Sequence, residues 1–336
     1  MVTIYDIARK TGFSSSTVSR ALTGTGTLNE NTRQKIIQVA NEMGYEPNLS
    51  ARTLSTKKSN LIGVIYDDTG MNRGFAHPLF SEILTHFREQ IECAGYDLVF
   101  LSRHSKLSYF AHASYRSVDG VIIINPASGE PSDFSGFVER GMPCVSTNCI
   151  LEGIPTILTD NEKGGYDAAE YLIKKGHKKI AVLSAPRNRI SSAPNERLQG
   201  FKKALRDYGL EYDEGLFVES KFWDKQGAYA AFEKLYKRRQ DFTAVICSTD
   251  WLAFGVYEYA EKHGLSIPDD FSIIGFDDDY ASSYIYPTLT TFHQDSERIA
   301  DLSCEIMMNL LAGFPAPEML RCEAKFIERN SVKSLL

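Results

Sequence analysis

Between Gly12 and Leu22 the chain reads GFSSSTVSRAL, with hydroxyls at Ser14, Ser15, Ser16, Thr17 and Ser19 and a guanidinium at Arg20. Such groups can bond phosphate oxygens or base edges. Val18 and Leu22, four apart, fall on one side of a helix and point to a core, so Ser15, Ser16, Ser19 and Arg20 face elsewhere. Small hydroxyls beside an arginine suit a helix that lies close to DNA, where bulk would block the approach. Patterns that would carry catalysis are missing. LIGVIYDDTGMNRG has the wrong glycine spacing for a dinucleotide loop, and there is no P-loop, GxSxG elbow or HExxH. The seven histidines are scattered and the six cysteines form no CxxC pair. The expectation is buried, reduced thiols, no metal and no cofactor.

Local signals place the hydroxyl cluster in a helix-turn-helix. Thr3-Ile-Tyr-Asp6 reads as a capping box with Asp for the usual Glu, which predicts a first helix from about Ile4 to Lys10. Gly12 ends it and Ser14 caps the next. A third helix, capped by Asn29, directs Ile36, Ile37, Val39, Ala40 and Met43 inward and breaks at Glu46-Pro47-Asn48. LSARTLS then permits about two helical turns, too few to be stable alone in water. Residues 1–60 carry eight Lys/Arg against four acids, so a net +4 stands beside −10 for the rest of the chain. A small basic module joined to a larger acidic body puts any phosphate contact in the first part.

The order TIYDIA, TVSRAL, NTRQKI and GYEPNLSARTL resembles the DNA-binding head of the lactose/galactose repressor family over nearly all of residues 3–58. The resemblance implies that Ser15, Ser16 and Arg20 read bases, with Arg20 placed for a bidentate contact to guanine. It implies that Ser14, Thr17, Ser19, Thr32, Tyr45 and Asn48 hold the phosphate backbone, and it counts Ile4 and Tyr5 in the DNA surface. Capping is the alternative role for Thr17 and Thr32. Thr23 stands where the family more often has Asn. By the same resemblance two hinge helices pair in the minor groove, where Leu54 wedges between base steps with Ala51 beside it.

From Leu61 onward, short apolar runs (LIGVIY, DLVFLS, GVIII, PCVST, KKIAVLS, TAVIC, SIIGF) alternate with helical patterns, including a helix from about Pro78 to Ala94. That alternation signals parallel sheets covered on both faces. The expected fold class is therefore a small all-α helix-turn-helix head plus an α/β body of two Rossmann-like subdomains. The expected domains are a head over 1–46, a hinge over 47–60 and a body over 61–336. Within the body, one subdomain takes about 61–160 plus 293–321 and the other about 161–292 plus 322–330, with crossings near Asn161, Phe292 and Cys322.

The body is similar to sugar-binding periplasmic proteins of type I. The family resemblance continues through DNEKGG, GHKKIAVL, RLQGF, STDWLAFG, IIGFDDD and PTLTT. A sugar ring offers paired hydroxyls and an apolar face, so its site needs planar polar groups and an aromatic ring. The resemblance assigns these to Asn148, Arg197, Phe222, Asp250 and Asp277, and His77 and Phe80 approximate a further family pattern. An ion pair is the alternative role for Arg197 and Asp277. The segment DDTGMNRGFAHPLF is about five residues longer than the family's, which suits either a larger or acidic ligand at Arg73 or a cover over the rim. Trp223 and Trp251 could enlarge the aromatic wall or pack in the core.

The resemblance as a whole implies a cytoplasmic, homodimeric regulator that is not an enzyme. It would repress carbohydrate-utilisation genes by binding double-stranded operator DNA under control of a mono- or oligosaccharide. A purine, a sugar phosphate or a protein corepressor are alternative effectors, and a carbohydrate-processing enzyme is the rival from another class. With no apolar run after the basic residues of MVTIYDIARK and no apolar stretch of membrane-spanning length, no membrane partner is expected.

Overall fold

The computed structural model describes every residue except 1, 25, 47–57, 68–72, 103–106, 127–129 and 188–190. The chain divides into two compact units, Met1–Ser59 and Asn60–Leu336. In the first, Thr3 caps α1 (Ile4–Thr11) reciprocally with Asp6, whose carboxylate accepts from Thr3 N at 3.0 Å. The shorter Asp thus closes the capping box as Glu usually does. Gly12, at φ 76°, ends α1 in the left-handed region, which costs a residue with a side chain roughly 1–2 kcal/mol. Ser14 then caps α2 (Ser15–Thr23), and Asn29 caps α3 (Glu30–Glu42).

Ile7, Val18, Ala21, Ile36 and Ala40 form the core of these three helices. Ile37, expected to point inward, is 38% exposed. Ile36 and Ala40 define the inward stripe, and the next residue lies about 100° round the helix. Helix α3 also stops sooner than expected. Gly44 takes φ 66° and Tyr45 N donates back to Ala40 O at 2.9 Å, so the break precedes Glu46. The expected hinge helix, with Asn48, Ala51 and Leu54, lies outside the described residues.

The second unit alternates strands and helices. In order come β1 (Leu61–Tyr66), α4 (Pro78–Cys93), β2 (Asp97–Phe100), α5 (Tyr109–Arg116), β3 (Gly120–Asn125), α6 (Ser135–Glu139), β4 (Cys144–Ser146) and β5 (Thr156–Thr159). There follow α7 (Asn161–Lys174), β6 (Ile180–Ser184), α8 (Ala193–Asp207), β7 (Phe217–Glu219), α9 (Lys225–Arg238), β8 (Ala244–Cys247), α10 (Asp250–Lys262) and β9 (Ser272–Ile274). The chain ends through β10 (Thr291–Gln294), α11 (Ser296–Leu311), β11 (Met319–Cys322) and β12 (Ala324–Ile327).

Two parallel sheets result, of order β11-β5-β4-β3-β1-β2 and β7-β6-β8-β9, with β10 and β12 paired antiparallel. The chain passes from the first sheet to the second after β5, returns after β10 and leaves again after β11. Asp160 N donates to Cys322 O at 2.7 Å, which ties two of these passages together. The apolar runs became β1, β2, β3, β4, β6, β8 and β9, of which β2 and β9 lie at sheet edges. Strands β5, β7, β10, β11 and β12, each three or four residues long, were not anticipated.

Helices α7 and α8 approach at backbone distance. A Cβ added to Gly165 would lie 2.1 Å from Arg197 O, and one added to Gly200 would lie 1.9 Å from Glu162 O. Glycine at both positions lets Arg197 on α8 reach Asn161 at the start of α7. Five of the six cysteines are buried, and burial pushes the Cys144, Cys149 and Cys247 thiols up, but Cys93 is exposed, against expectation. Among the described residues, no helix is long and apolar enough to cross a membrane.

Candidate nucleic-acid interface and effector cleft

On α2 the hydroxyls form one cluster at the helix start. Ser14 Oγ accepts from Thr17 N at 3.2 Å and lies 2.9 Å from both Ser16 Oγ and Thr17 Oγ1. Ser16 and Arg20 are exposed on successive turns, Ser15 and Ser19 are half-buried, and Arg20 Nε donates to Ser16 O at 3.4 Å. Thr17 is thus tied to the Ser14 cap, whereas Asn29, not Thr32, caps α3. Tyr5 is 67% exposed, while Ile4 and Tyr45 pack against the helical core.

A cleft of about 560 Å³, counted to its open mouth, brings together residues of both sheets. Of the sequence-predicted set, His77, Phe80, Asn148, Arg197 and Asp277 line it. His77 caps α4, its Nδ1 accepting from Phe80 N at 3.4 Å while its ring stacks on Phe80 with centroids 4.0 Å apart. Burial, with the Arg73 charge beside it, pulls the imidazole down to about 3, so the ring is neutral. An accepting Nδ1 leaves the proton on Nε2.

Arg197 and Asp277 stand at the two ends of a hydrogen-bond chain along the cleft base. Arg197 Nε donates to Asn161 Oδ1 at 2.9 Å, and Asn161 Nδ2 donates to Thr159 O at 3.0 Å. Thr159 Oγ1 donates to Gln294 Oε1 at 2.5 Å, and Gln294 Nε2 donates to Asp277 Oδ1 at 2.7 Å. Arg197 also bonds Ser248 O and lies 3.5 Å over the Phe276 ring. Burial lowers the guanidinium to about 10 and raises the Asp277 carboxyl to about 7, each opposed by the charge of the other.

Three consecutive aspartates do three different jobs. Asp277, at φ 124°, faces the cleft. Asp278, at φ 56°, pairs with Arg329 at 2.6 Å and His293 at 3.4 Å. Asp279 pairs with Arg73 at 2.7 Å. The last of them is also held by Asp250, which the sequence reading placed among the ligand contacts and which the structure buries completely. Its carboxylate accepts from Asp279 N at 2.8 Å, Ser282 Oγ at 2.7 Å and Thr291 Oγ1 at 2.6 Å. Burial raises it to about 6 while those three bonds oppose the rise. With its acceptor capacity used internally, Asp250 builds the loop and does not line the cleft.

Phe222 also stands apart from the cleft lining. It is 49% exposed, and its neighbour Trp223 provides the aromatic wall. Ser220 Oγ bonds both Phe222 O and Phe222 N, and this turn fixes which of the two rings faces inward. Trp251 packs at the core edge beneath Arg73. The sequence reading missed Thr147, Thr159, Asn161, Thr249 and Gln294 in the lining. Asn161 could have been found, because it opens the α7 motif DNEKGG, but FHQD offers no signal for Gln294.

Residues 3–48 match the model of the bacterial regulatory proteins, lacI family, and residues 169–332 match a periplasmic binding protein-like domain. The chain is 30% identical over 338 residues to the probable HTH-type transcriptional repressor ExuR of Bacillus subtilis, covering 100% of this chain and 99% of that protein. It is 29% identical over 342 residues to the HTH-type transcriptional repressor PurR of Proteus mirabilis, covering 99% and 97%. Among solved structures, the lac repressor dimer bound to operator and an anti-inducer superposes with a TM-score of 0.83 at 24% identity over 99% of each chain. The regulator CelR in complex with cellobiose gives 0.72 at 24% over 99% of this chain and 100% of that one. A regulator from Enterococcus faecium with bound ribose gives 0.70 at 27% over 82% and 100%.

Proposed function

The chain belongs to the lacI family of bacterial transcriptional regulators, and we propose that within it the cleft binds an uncharged sugar while the exposed face of α2 reads an operator. The observation that carries the ligand class is charge balance. Among the described residues, the ionisable side chains of the lining are His77, Arg197 and Asp277. His77 is neutral, and Arg197 and Asp277 oppose one another. A phosphate or carboxylate ligand needs surplus positive charge, and among the described lining residues the one cation, Arg197, already faces the Asp277 carboxyl. A pyranose or furanose needs planar donors and acceptors for adjacent hydroxyls, which Asn148, Arg197 and Asp277 offer, and an apolar wall, which Phe80 and Trp223 offer. The cellobiose and ribose bound to two similar regulators support that class.

The protein acts as a homodimeric repressor of carbohydrate-utilisation genes, without enzyme activity. Ser15, Ser16 and Arg20 contact base edges, and Ser14, Thr17, Ser19 and Thr32 hold the backbone. The sugar changes operator affinity only through its differential affinity for two arrangements of the body. Calorimetric titration of the full chain with neutral mono- and disaccharides, sugar phosphates and purine bases tests the ligand class. Saturable binding of a neutral sugar alone is expected, and saturation by a purine or a sugar phosphate with no neutral sugar binding overturns the assignment. Binding-site selection from random duplexes is expected to return a pseudo-palindrome, and failure to enrich any sequence overturns the operator reading.

A further inference from the structure

Arg73 belongs to the segment between β1 and α4 that is longer than the family pattern. Its neighbours are anchored to the first sheet. Tyr66 OH on β1 donates to Gly74 O, and the Tyr66 and Phe75 rings stack with centroids 5.3 Å apart. Its own side chain leaves that sheet altogether. Arg73 Nη2 donates to Asp279 Oδ2 at 2.7 Å, with only 12% and 8% of the two side chains exposed, and the guanidinium carbon lies 4.4 Å from the centre of the Trp251 ring. Asp279 and Trp251 both belong to the unit built on the second sheet.

We propose that Arg73 is a latch which holds the two halves of the body together beside the cleft. The receiving side is prepared in advance. Asp250 binds Asp279 N and Ser282 Oγ, and Asp279 Oδ1 accepts from Ala281 N at 3.0 Å, so one carboxylate oxygen is held by its own turn and the other is presented to Arg73. Fixed groups lose little side-chain freedom on pairing, and the aromatic face adds attraction for a partly desolvated guanidinium. Because the pair is largely buried, salt screens it weakly. Because Arg73 lies close enough to His77 and Asp277 to lower the pKa of both, opening the latch also changes the charge environment of the cleft. The Arg73 charge is already matched by Asp279, so it is not surplus charge for an acidic ligand.

The latch rests on the reading of the cleft as a ligand site, but its test needs no ligand. The chain has two tryptophans, so Trp223→Phe leaves Trp251 as the only indole reporter. In that background, full-length protein is expected to show Trp251 shielded from acrylamide. Arg73→Met, which keeps the length and loses the charge, is expected to raise the quenching constant and shift the emission to longer wavelength. Asp279→Asn is expected to do the same, and the double variant no more than either alone, because both break one contact. Arg73→Lys, which keeps the charge and loses the planar stack, is expected to fall between. A parent-like quenching constant in Arg73→Met, or additive effects in the double variant, overturns the latch. Failure of every sugar in the calorimetric panel would sink the effector class and leave this result untouched.

Discussion

Gly200→Ala sets two effects of opposite sign against each other. Gly200 lies inside α8, where alanine in place of glycine favours an isolated helix by about 1 kcal/mol. Against this, the new Cβ would sit 1.9 Å from Glu162 O and 2.7 Å from Tyr166 N, both backbone atoms of α7 that cannot swing aside. Reaching even 3.0 Å requires α7 and α8 to part by about 1 Å. Overpacking of this kind costs about 1–3 kcal/mol, so the expected net change is destabilising by up to about 2 kcal/mol. The same displacement acts on function, because Arg197 lies on α8 and its 2.9 Å bond to Asn161 spans the two helices. The variant should therefore unfold at lower denaturant and bind the effector more weakly, with operator binding by the separate head unchanged. Equilibrium urea unfolding and titration with the bound sugar measure the two quantities. A variant as stable as the parent with the same affinity would refute the claim that backbone contact between α7 and α8 positions Arg197.

Arg20→Ala should lower operator affinity by about 1–3 kcal/mol and relax specificity in binding-site selection, with ligand affinity unchanged. Ile36→Ala removes a fully buried side chain from a core of few residues and should cost about 2–5 kcal/mol, read as loss of operator binding and rapid proteolysis of the head while the body still binds ligand. The pH dependence follows from Asp277, whose folded value of about 7 lies above the usual 3.8. If the ligand bonds the ionised carboxylate, its affinity should be level above about pH 8 and fall about tenfold by pH 6, and Asp277→Asn should remove that slope. For the unliganded chain the sign is opposite. The folded state holds a proton that the unfolded state releases, so Asp277 stabilises below about pH 4 and that contribution fades as the pH rises to about 7. Denaturation of the parent and Asp277→Asn at pH 5 and pH 8 isolates it.

What the sequence revealed was local, and what it concealed depended on distant partners. Thr3, Gly12, Ser14 and Asn29 act on backbone groups within four residues of themselves, so their types alone predicted the head. The apolar runs exposed β1, β3, β6 and β8 because a parallel strand buried on both faces needs no alternation. By contrast IIGFDDD shows three identical aspartates whose roles are set by Gln294, Arg329 and Arg73, each far away in sequence. Asp250 is assigned to the ligand by the resemblance, and its residue type alone cannot tell a carboxylate that faces a cleft from one that meets three internal donors. Phe222 and Trp223 are adjacent aromatics, and only the turn at Ser220 decides which faces the cleft. Arg73 could be seen as an added charge, but neither its partner nor its direction could.

The chain of bonds from Arg197 to Asp277 gives a physical reason why a ligand at this site would reach beyond it. Every member has its role fixed by its neighbours. Asn161 must present oxygen to Arg197 and nitrogen to Thr159 O, and Gln294 must present oxygen to Thr159 and nitrogen to Asp277. Thr159 ends β5 and Asn161 begins α7 across the first passage between sheets, while Gln294 ends β10 at the return passage. The polar groups that would meet a sugar are thus bonded directly to residues at the chain passages between the two sheets, where any turning of the halves would be taken up. Substituting sugar hydroxyls for part of this network changes the energy of one hinge arrangement relative to another. The largest effect a ligand can have on the operator is that difference, of the order of 1–3 kcal/mol in coupled systems, however tightly it binds.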